Sequence, residues 1–324
     1  MKQPLRIRTA IVLNATDEIP LESARLAVFN ALLARRYRQP LLLRIDNAME
    51  SEPDDEIALL LDDLRWLGLE WEEGPDVGGE YEPYVRSGRS AIYAAFYVKL
   101  IELGRAYPCF CNWRELETMR QAQLDSGIPP HYAGGCNRLN RQGRQRKIDQ
   151  GLPAALRFEV GGMLSGDVED LLLGQYHCRL DEVGDFIIRS HNGISRRVFT
   201  TTVDDALMRI THRFRGWDEL QKLPRQRALA ETLGLPLPAY GHLPRLLPDP
   251  DAPDGRLPTL GELRCRGYRP EAVLNHLARL GHRYDSDRLL DVDELARRFR
   301  ISRMTQEPVF HRQTQLDRWQ RMAA

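Results

Sequence analysis

At 324 residues the chain is long enough to bury a full core, folded as one large or two to three smaller domains. Its formal charge is zero, yet Lys2, Lys99, Lys147 and Lys222 are its only lysines, so nearly all of its positive charge is arginine, which suits phosphate contacts but does not replace a mobile ammonium. With no run of eighteen apolar residues, no signal-peptide pattern and an odd count of five cysteines, a membrane span and a disulfide scaffold are excluded and a cytoplasmic, reducing location is expected.

Arg6 to Leu13 reads as a strand. Leu21, Ala24, Val28 and Leu32 recur at helical spacing and predict a helix ending near Tyr37. Pro40 precedes a second strand, Leu41 to Ile45, and strand–helix–strand with short links implies a parallel βαβ unit. Ser51 is placed to cap a helix carrying Ile57, Leu60, Leu61 and Leu64, with Gly68 as its stop signal. A further helix is expected from Ser90 to Leu103, closed by Gly104.

The texture changes between Ala106 and Gly193. Cysteines, glycines and a basic stretch appear there, with strand-like runs at Ala155 to Val160 and Asp185 to Ile188. This reads as an insertion between two halves of a nucleotide-binding fold. Val198 to Val203 has the pattern of a buried strand, and helical segments follow to about Leu233. Beyond a link holding Pro236, Pro238, Pro244, Pro248, Pro250, Pro253 and Pro258, the remainder is mostly helical.

FNALLAR (29–35), LLLRID (41–46), WLGLEWEEGPDVGG (66–79), AYPCFC (106–111), TTTVDD (200–205), ITHRFRG (210–216) and GYRPEAVLNHLARLG (267–281) occur in this order. On these strings the chain resembles the glutamyl-tRNA synthetases, class I enzymes, over nearly its whole length. In length and cysteine pattern it also resembles the glutamyl-queuosine tRNA-Asp synthetases. The resemblance implies an α/β protein with a Rossmann-like class I catalytic domain in two halves, 1–105 and 196–255. An inserted acceptor-binding-type domain with a zinc site occupies 106–195, and a helical C-terminal domain 256–324. An anticodon-binding domain, present in the longer family members, is not expected.

Two signatures that handle ATP–Mg²⁺ in that family are altered. The His-Ile-Gly-His-type motif, which holds phosphate at a helix N-terminus, aligns with Pro20, Leu21, Glu22 and Ser23. Both imidazoles are gone, proline lacks an amide donor, and Glu22 sets a carboxylate where an anion would sit. The lysine loop of the family is shortened near Asp254 and Gly255, no lysine follows Lys222, and Arg256 is the only nearby cation. Losing one transition-state donor typically costs about 10²–10³ in rate, so adenylation is expected to be negligible.

The resemblance assigns remnants of an amino-acid pocket to Asp46 (ammonium), Arg197 (where the family has tyrosine), Arg215 (side-chain carboxylate) and the acidic pair Asp204 and Asp205. Ala10 stands where the family has its carboxylate-binding arginine, with Arg8 nearby, and Asn14 aligns with a serine. Cys109, Cys111 and Cys136 match the family's zinc spacing. Arg138 stands where the longer enzymes have a histidine ligand; Tyr132 matches the tyrosine ligand of the glutamyl-queuosine tRNA-Asp synthetases, which implies it, with His131 as the alternative, as fourth donor to a closed structural zinc. Arg138, Arg141, Arg144, Arg146 and Lys147 are candidates for contact with a tRNA acceptor stem. The expectation is thus a pseudo-synthetase that binds a tRNA acceptor arm without charging it. The alternatives are a working glutamate ligase with a rewired ATP site and a regulatory subunit on a protein partner.

Overall fold

The computed structural model describes residues 7–14, 18–47, 54–251 and 255–324. Ser51, expected to cap the second helix, and Asp254, at the shortened loop, lie outside them. β1 (Thr9–Leu13), α1 (Leu21–Tyr37) and β2 (Leu41–Ile45) form the expected βαβ unit, the strands running parallel from the pair Thr9 and Leu41 to the pair Leu13 and Ile45. A parallel strand covered on both faces has to be apolar throughout. All of both strands is buried except Val12, and the one charge, Arg44, meets Asp205 at 3.0 Å.

Eleven of the seventeen residues of α1 are buried, because strands flank it on one side and C-terminal helices on another. Each fully buried Leu, Val or Phe here contributes about 1.5–3 kcal/mol relative to exposure. α2 (Asp54–Trp66) stops before Gly68, whose φ of 83° is the left-handed conformation that glycine adopts freely. α3 (Ser90–Glu102) follows.

The segment expected as an insertion holds β3 (Ala106–Cys109), α4 (Trp113–Asp125), α5 (Arg141–Asp149), β4 (Ala155–Phe158), β5 (Gly166–Asp170), β6 (Gly174–Cys178), α6 (Leu180–Val183) and β7 (Phe186–Arg189). β3, β4 and β7 make an antiparallel sheet, and β5 and β6 a hairpin. Asn112 starts α4 with a reciprocal capping box to Glu115.

The strand expected over Val198 to Val203 is instead α7 (Arg197–Leu207). Phe199 and Val203, four residues apart, are both fully buried, and Thr202 Oγ1 donates to the Val198 carbonyl at 2.8 Å, a bond only a helix makes. The missing strand comes later. β8 (His212–Gly216) precedes α8 (Leu223–Leu233) and pairs parallel with β9 (Ala239–Leu243), giving the sheet order β6-β5-β9-β8. The Thr211 N–H donates to the Arg8 carbonyl at 2.8 Å, which joins β8 to the start of β1.

β10 (Leu246–Leu247), α9 (Leu260–Cys265), α10 (Pro270–Arg279), α11 (Val292–Arg298), β11 (Val309–Phe310) and α12 (Gln313–Ala323) complete the chain. Phe29 of α1, Phe214 of β8 and Phe299 sit within 5.8–6.3 Å of one another, ring centre to ring centre, so the C-terminal helices share α1's core. Among the described residues no helix is long and apolar enough to cross a membrane.

Candidate ligand cavities and metal centre

A cavity of about 310 Å³ opens where β1 and β8 end and α1 begins, the place where parallel α/β sheets hold ligands. Its wall includes Asn14, Glu22, Ser23, Arg197, Arg215 and Glu219. The first turn of a helix leaves four N–H groups without intrahelical partners. In α1, proline at position 20 removes one of them, and the Leu21 N–H donates to the Pro258 carbonyl at 3.3 Å. The Leu260 N–H answers by donating to the Ile19 carbonyl at 2.9 Å. The segment Pro258–Leu260 therefore lies as a backbone clasp on the helix end. Glu22 accepts from the Leu246 N–H at 3.2 Å and pairs with Arg25 at 3.7 Å.

Arg256 does not face this cavity. Its guanidinium pairs with Glu262 at 2.5 Å, and Glu262 is also committed to the capping box that starts α9 at Thr259. Those bonds hold the Glu262 carboxyl down to about 2, the Arg256 contact first and the Thr259 N–H second. Arg8 is likewise engaged elsewhere, paired with Glu73 at 2.7 Å.

Asp46 is enclosed by two guanidinium groups, Arg86 at 2.9 Å and Arg197 at 2.6 Å. Asp204 accepts from Arg89 at 2.8 Å and Tyr93 at 2.6 Å. Asp205 receives Arg44 at 3.0 Å, Arg213 at 2.9 Å and the Tyr240 hydroxyl at 2.8 Å. Both members of the acidic pair are thus interior charges that join α7 to β2, α3, β8 and β9.

Arg215, only 4% exposed, is fixed on three sides. Its Nε donates to His242 Nε2 at 2.8 Å, its Nη1 to Gln226 at 2.7 Å, and its guanidinium lies 3.6 Å from the Tyr240 ring centre. Nη2 has no protein partner. His242 Nδ1 in turn meets Asp170 Oδ2 at 2.5 Å, which assigns its proton to Nδ1 and leaves Nε2 as the acceptor. Burial lowers the His242 pKa further and favours this neutral form. Neither Asp170 nor His242 carries a signal in the sequence beyond that of a lone histidine in an apolar strand.

A second cavity, about 770 Å³, lies between the inserted segment and α7. Arg120, Arg157, Arg196, Arg197, Lys222 and Arg225 line it, whereas its carboxylate, Asp185, is bound to the Tyr107 hydroxyl at 2.6 Å. Arg197 borders both cavities. Of the predicted basic residues, Arg138, Arg141 and Arg146 are exposed. Arg144 turns back to the Asn137 carbonyl at 3.4 Å and Lys147 lies over the Phe110 ring at 5.7 Å.

Cys109, Cys111 and Cys136 bring their sulfurs within 4.8 Å of one another and can hold a metal ion. The Tyr132 hydroxyl lies 3.5 Å from Cys109 and 3.4 Å from Cys111, and Cys111 is 3.7 Å from Cys136. A tetrahedral ion with S at about 2.3 Å and O at about 2.1 Å requires S···S near ~3.8 Å and S···O near ~3.6 Å. The Cys111–Cys136 spacing and both Tyr132 contacts match those values, and Cys109 lies within 4.8 Å of the other two sulfurs. His131 falls outside it, exposed, with Nδ1 on the Pro129 carbonyl at 3.1 Å. Burial, followed by the neighbouring thiols, pushes the Cys111 thiol up to about 12, whereas burial of Cys136 is outweighed by bonds from Tyr132 and the Phe110 N–H, which lower its pKa. Arg157 stacks on Tyr132 at 3.7 Å, so the cluster buttresses the wall of the larger cavity.

Split parallel strands with ligand cavities at their C-terminal ends, and an inserted unit carrying a cysteine cluster, define a class I synthetase catalytic fold. Residues 14–318 match the family described as tRNA synthetases class I (E and Q), catalytic domain. The chain is 42% identical to glutamate–tRNA ligase 2 of Nitrosococcus oceani over 98% of its own length and 68% of that protein's. It is 42% identical to glutamate–tRNA ligase 1 of Halorhodospira halophila over 98% and 68%. Among solved structures, a glutamate tRNA ligase from Elizabethkingia meningosepticum in complex with its amino acid superposes with a TM-score of 0.87 at 21% identity, covering 97% of this chain and 68% of that one. The chain belongs to the glutamyl-tRNA synthetase family.

Proposed function

We propose that this chain is a family member that has lost ATP-dependent activation of glutamate and binds the acceptor end of a tRNA. One observation carries the first half: the clasp between Ile19–Leu21 and Pro258–Leu260. A phosphate at a helix N-terminus depends on free N–H groups and a favourable dipole. Here one donor is replaced by proline, one is taken by Pro258, and the Glu22 carboxylate occupies the positive end of the dipole. Arg256 is paired with Glu262, and no lysine follows Lys222 to neutralise departing pyrophosphate from the segment after the loop.

The larger cavity supports the second half, because seven cationic side chains line it, Arg86 included, and its carboxylate is internally bound. Arginine guanidinium groups match phosphate oxygens in pairs. The exposed Arg138, Arg141 and Arg146 add further cationic groups in the same inserted segment. In this reading the Cys109, Cys111, Tyr132 and Cys136 shell holds a structural zinc that keeps the wall of the cavity in place.

The test is pyrophosphate exchange with ATP–Mg²⁺ and glutamate, beside binding of an acceptor-stem RNA hairpin ending in a single-stranded 3′ tail. The expected outcome is no exchange and salt-sensitive RNA binding. Exchange above background overturns the first half, and an RNA affinity no better than that of a neutral control protein overturns the second.

A further inference from the structure

α3 turns Tyr93, Tyr97 and Leu100 into the protein and leaves most of its other positions in solvent. A surface helix ordinarily carries polar residues on its outer face. That face of α3 holds Ala91, Ala94, Ala95, Val98, Ile101 and Glu102, spaced by three and four residues. Val98 is 53% exposed, Ile101 52% and Leu103, beside them, 51%, which gathers three large apolar side chains in solvent within six positions. A concentration of that kind marks a contact surface. The one basic residue of α3, Lys99, is bonded to the Leu233 carbonyl at 2.9 Å, so the helix lacks the Lys- and Arg-rich flank of one that lies on a membrane. The face also has a definite order. Small residues fill its first half, large ones its second, and an acid ends it.

We propose that α3 is the contact between two copies of this chain, packed antiparallel about a twofold axis that passes between Ala95 and Val98. In that arrangement Val98 of each copy seats against Ala95 of the other, and Ile101 falls between the other copy's Ala91 and Ala95, so large side chains meet small ones. Glu102 reaches the start of the other α3, the positive end of its dipole, where Ser90 is exposed. Both copies make the same exchange. A parallel pair would instead set Val98 on Val98 and Glu102 on Glu102, large against large and charge against like charge. α3 has 13 residues and is about 20 Å long, so the contact lies at the small end of specific interfaces and a dissociation constant of about 10 µM is expected.

The deciding experiment is sedimentation equilibrium of the full chain over about 1 to 100 µM, a range that brackets the expected constant. The wild type is expected to pass reversibly from monomer to dimer. V98E/I101E stays monomeric throughout and keeps the wild-type circular dichroism, because both side chains are in solvent. I148E, on α5 and equally exposed at 52%, keeps the dimer, which separates a specific contact from general stickiness. Cross-linking reads the direction of packing, in a C265S background that removes the exposed cysteine. With copper phenanthroline A95C forms a covalent dimer, whereas A91C does not, since the twofold axis sets the two copies of position 91 about 16 Å apart along the helices. A monomer at every concentration, a dimer that survives V98E/I101E, or loss of the dimer in I148E as well overturns the proposal. Equal cross-linking at positions 91 and 95 overturns the antiparallel arrangement.

Discussion

Arg197 Nε lies 2.6 Å from Asp46 Oδ2, across two cavities and 151 positions of sequence. The contact joins the start of α7 to the end of β2 and closes the carboxylate from the side that Arg86 leaves open. The two guanidinium groups are not equivalent, because the Arg197 side chain is 37% exposed and that of Arg86 only 10%. Removing a half-exposed partner costs little, whereas removing the shared acid strands a buried charge. R197A is therefore expected to lower stability by about 1 kcal/mol or less, and D46A by about 3 kcal/mol. Urea denaturation of both variants checks the order, and a reversed order would place the stabilising contact elsewhere.

Zinc removal tests the cysteine cluster. The purified chain is expected to carry about one zinc per molecule, and a strong chelator to lower its melting temperature. Y132F keeps three thiolates and loses metal affinity in part; C109S removes a fully buried ligand and loses the metal altogether. H131A leaves zinc content unchanged, since that ring is turned to Pro129. Elemental analysis beside thermal melts reads all four proteins. Zinc-free protein with an unchanged melting temperature would mean that three reduced thiols simply pack there.

Local signals in the sequence marked the βαβ unit closely. The strand expected at Leu41 to Ile45 and the helix ending near Tyr37 both appear at those limits, because strong periodicity and Pro40 act within a few residues. Val198 to Val203 misled for a physical reason. Three threonines and two valines favour extended backbone locally, but Asp204 and Asp205 reach Arg89, Arg44 and Arg213 only when that segment is helical. The cysteine spacing located a three-thiol cluster able to hold a metal ion, yet only packing places Tyr132 rather than His131 beside it. The Asp46 enclosure and the Asp170–His242–Arg215 relay were illegible, since each links residues far apart in the chain whose partners no periodic pattern connects.

Acid is expected to destabilise the C-terminal helices through buried histidines. His276, fully buried, meets His311 at 2.9 Å, and burial, then that neighbour, pushes its pKa down to about 3. His282, stacked on Phe299, is lowered to about 4, chiefly by burial. Both values lie below the unfolded one of about 6.5, so between them the unfolded chain binds more protons. Their contribution is complete above about pH 6.5 and is lost as pH falls toward 4, at about 1.4 kcal/mol per unit for each histidine. Few ordinary carboxylates titrate between pH 5 and 6.5, so denaturation across that window reads mainly histidines. The double variant H276N/H282N should show a shallower slope there, and a wild-type stability constant from pH 7 to 5 would contradict the assignment.

RNA affinity should depend on salt through a countable set of charges. Arg138, Arg141 and Arg146 are exposed at α5 and its approach, whereas Arg144 and Lys147 are turned toward the protein. Each phosphate neutralised by a cation releases condensed counterions, which adds about 0.7 to the slope of log affinity against log salt for a single strand and about 0.9 for a duplex. The triple variant R138A/R141A/R146A is therefore expected to reduce the slope for an acceptor-stem hairpin by about 2 to 3. Its binding should weaken at low salt and converge on wild type at high salt, with no change in sequence preference. R144A should alter the slope less than R141A, because its guanidinium is held by Asn137. Filter binding across a salt series distinguishes the cases: an unchanged slope in the triple variant would make α5 an ordinary solvated helix and leave RNA contact to the arginines of the larger cavity.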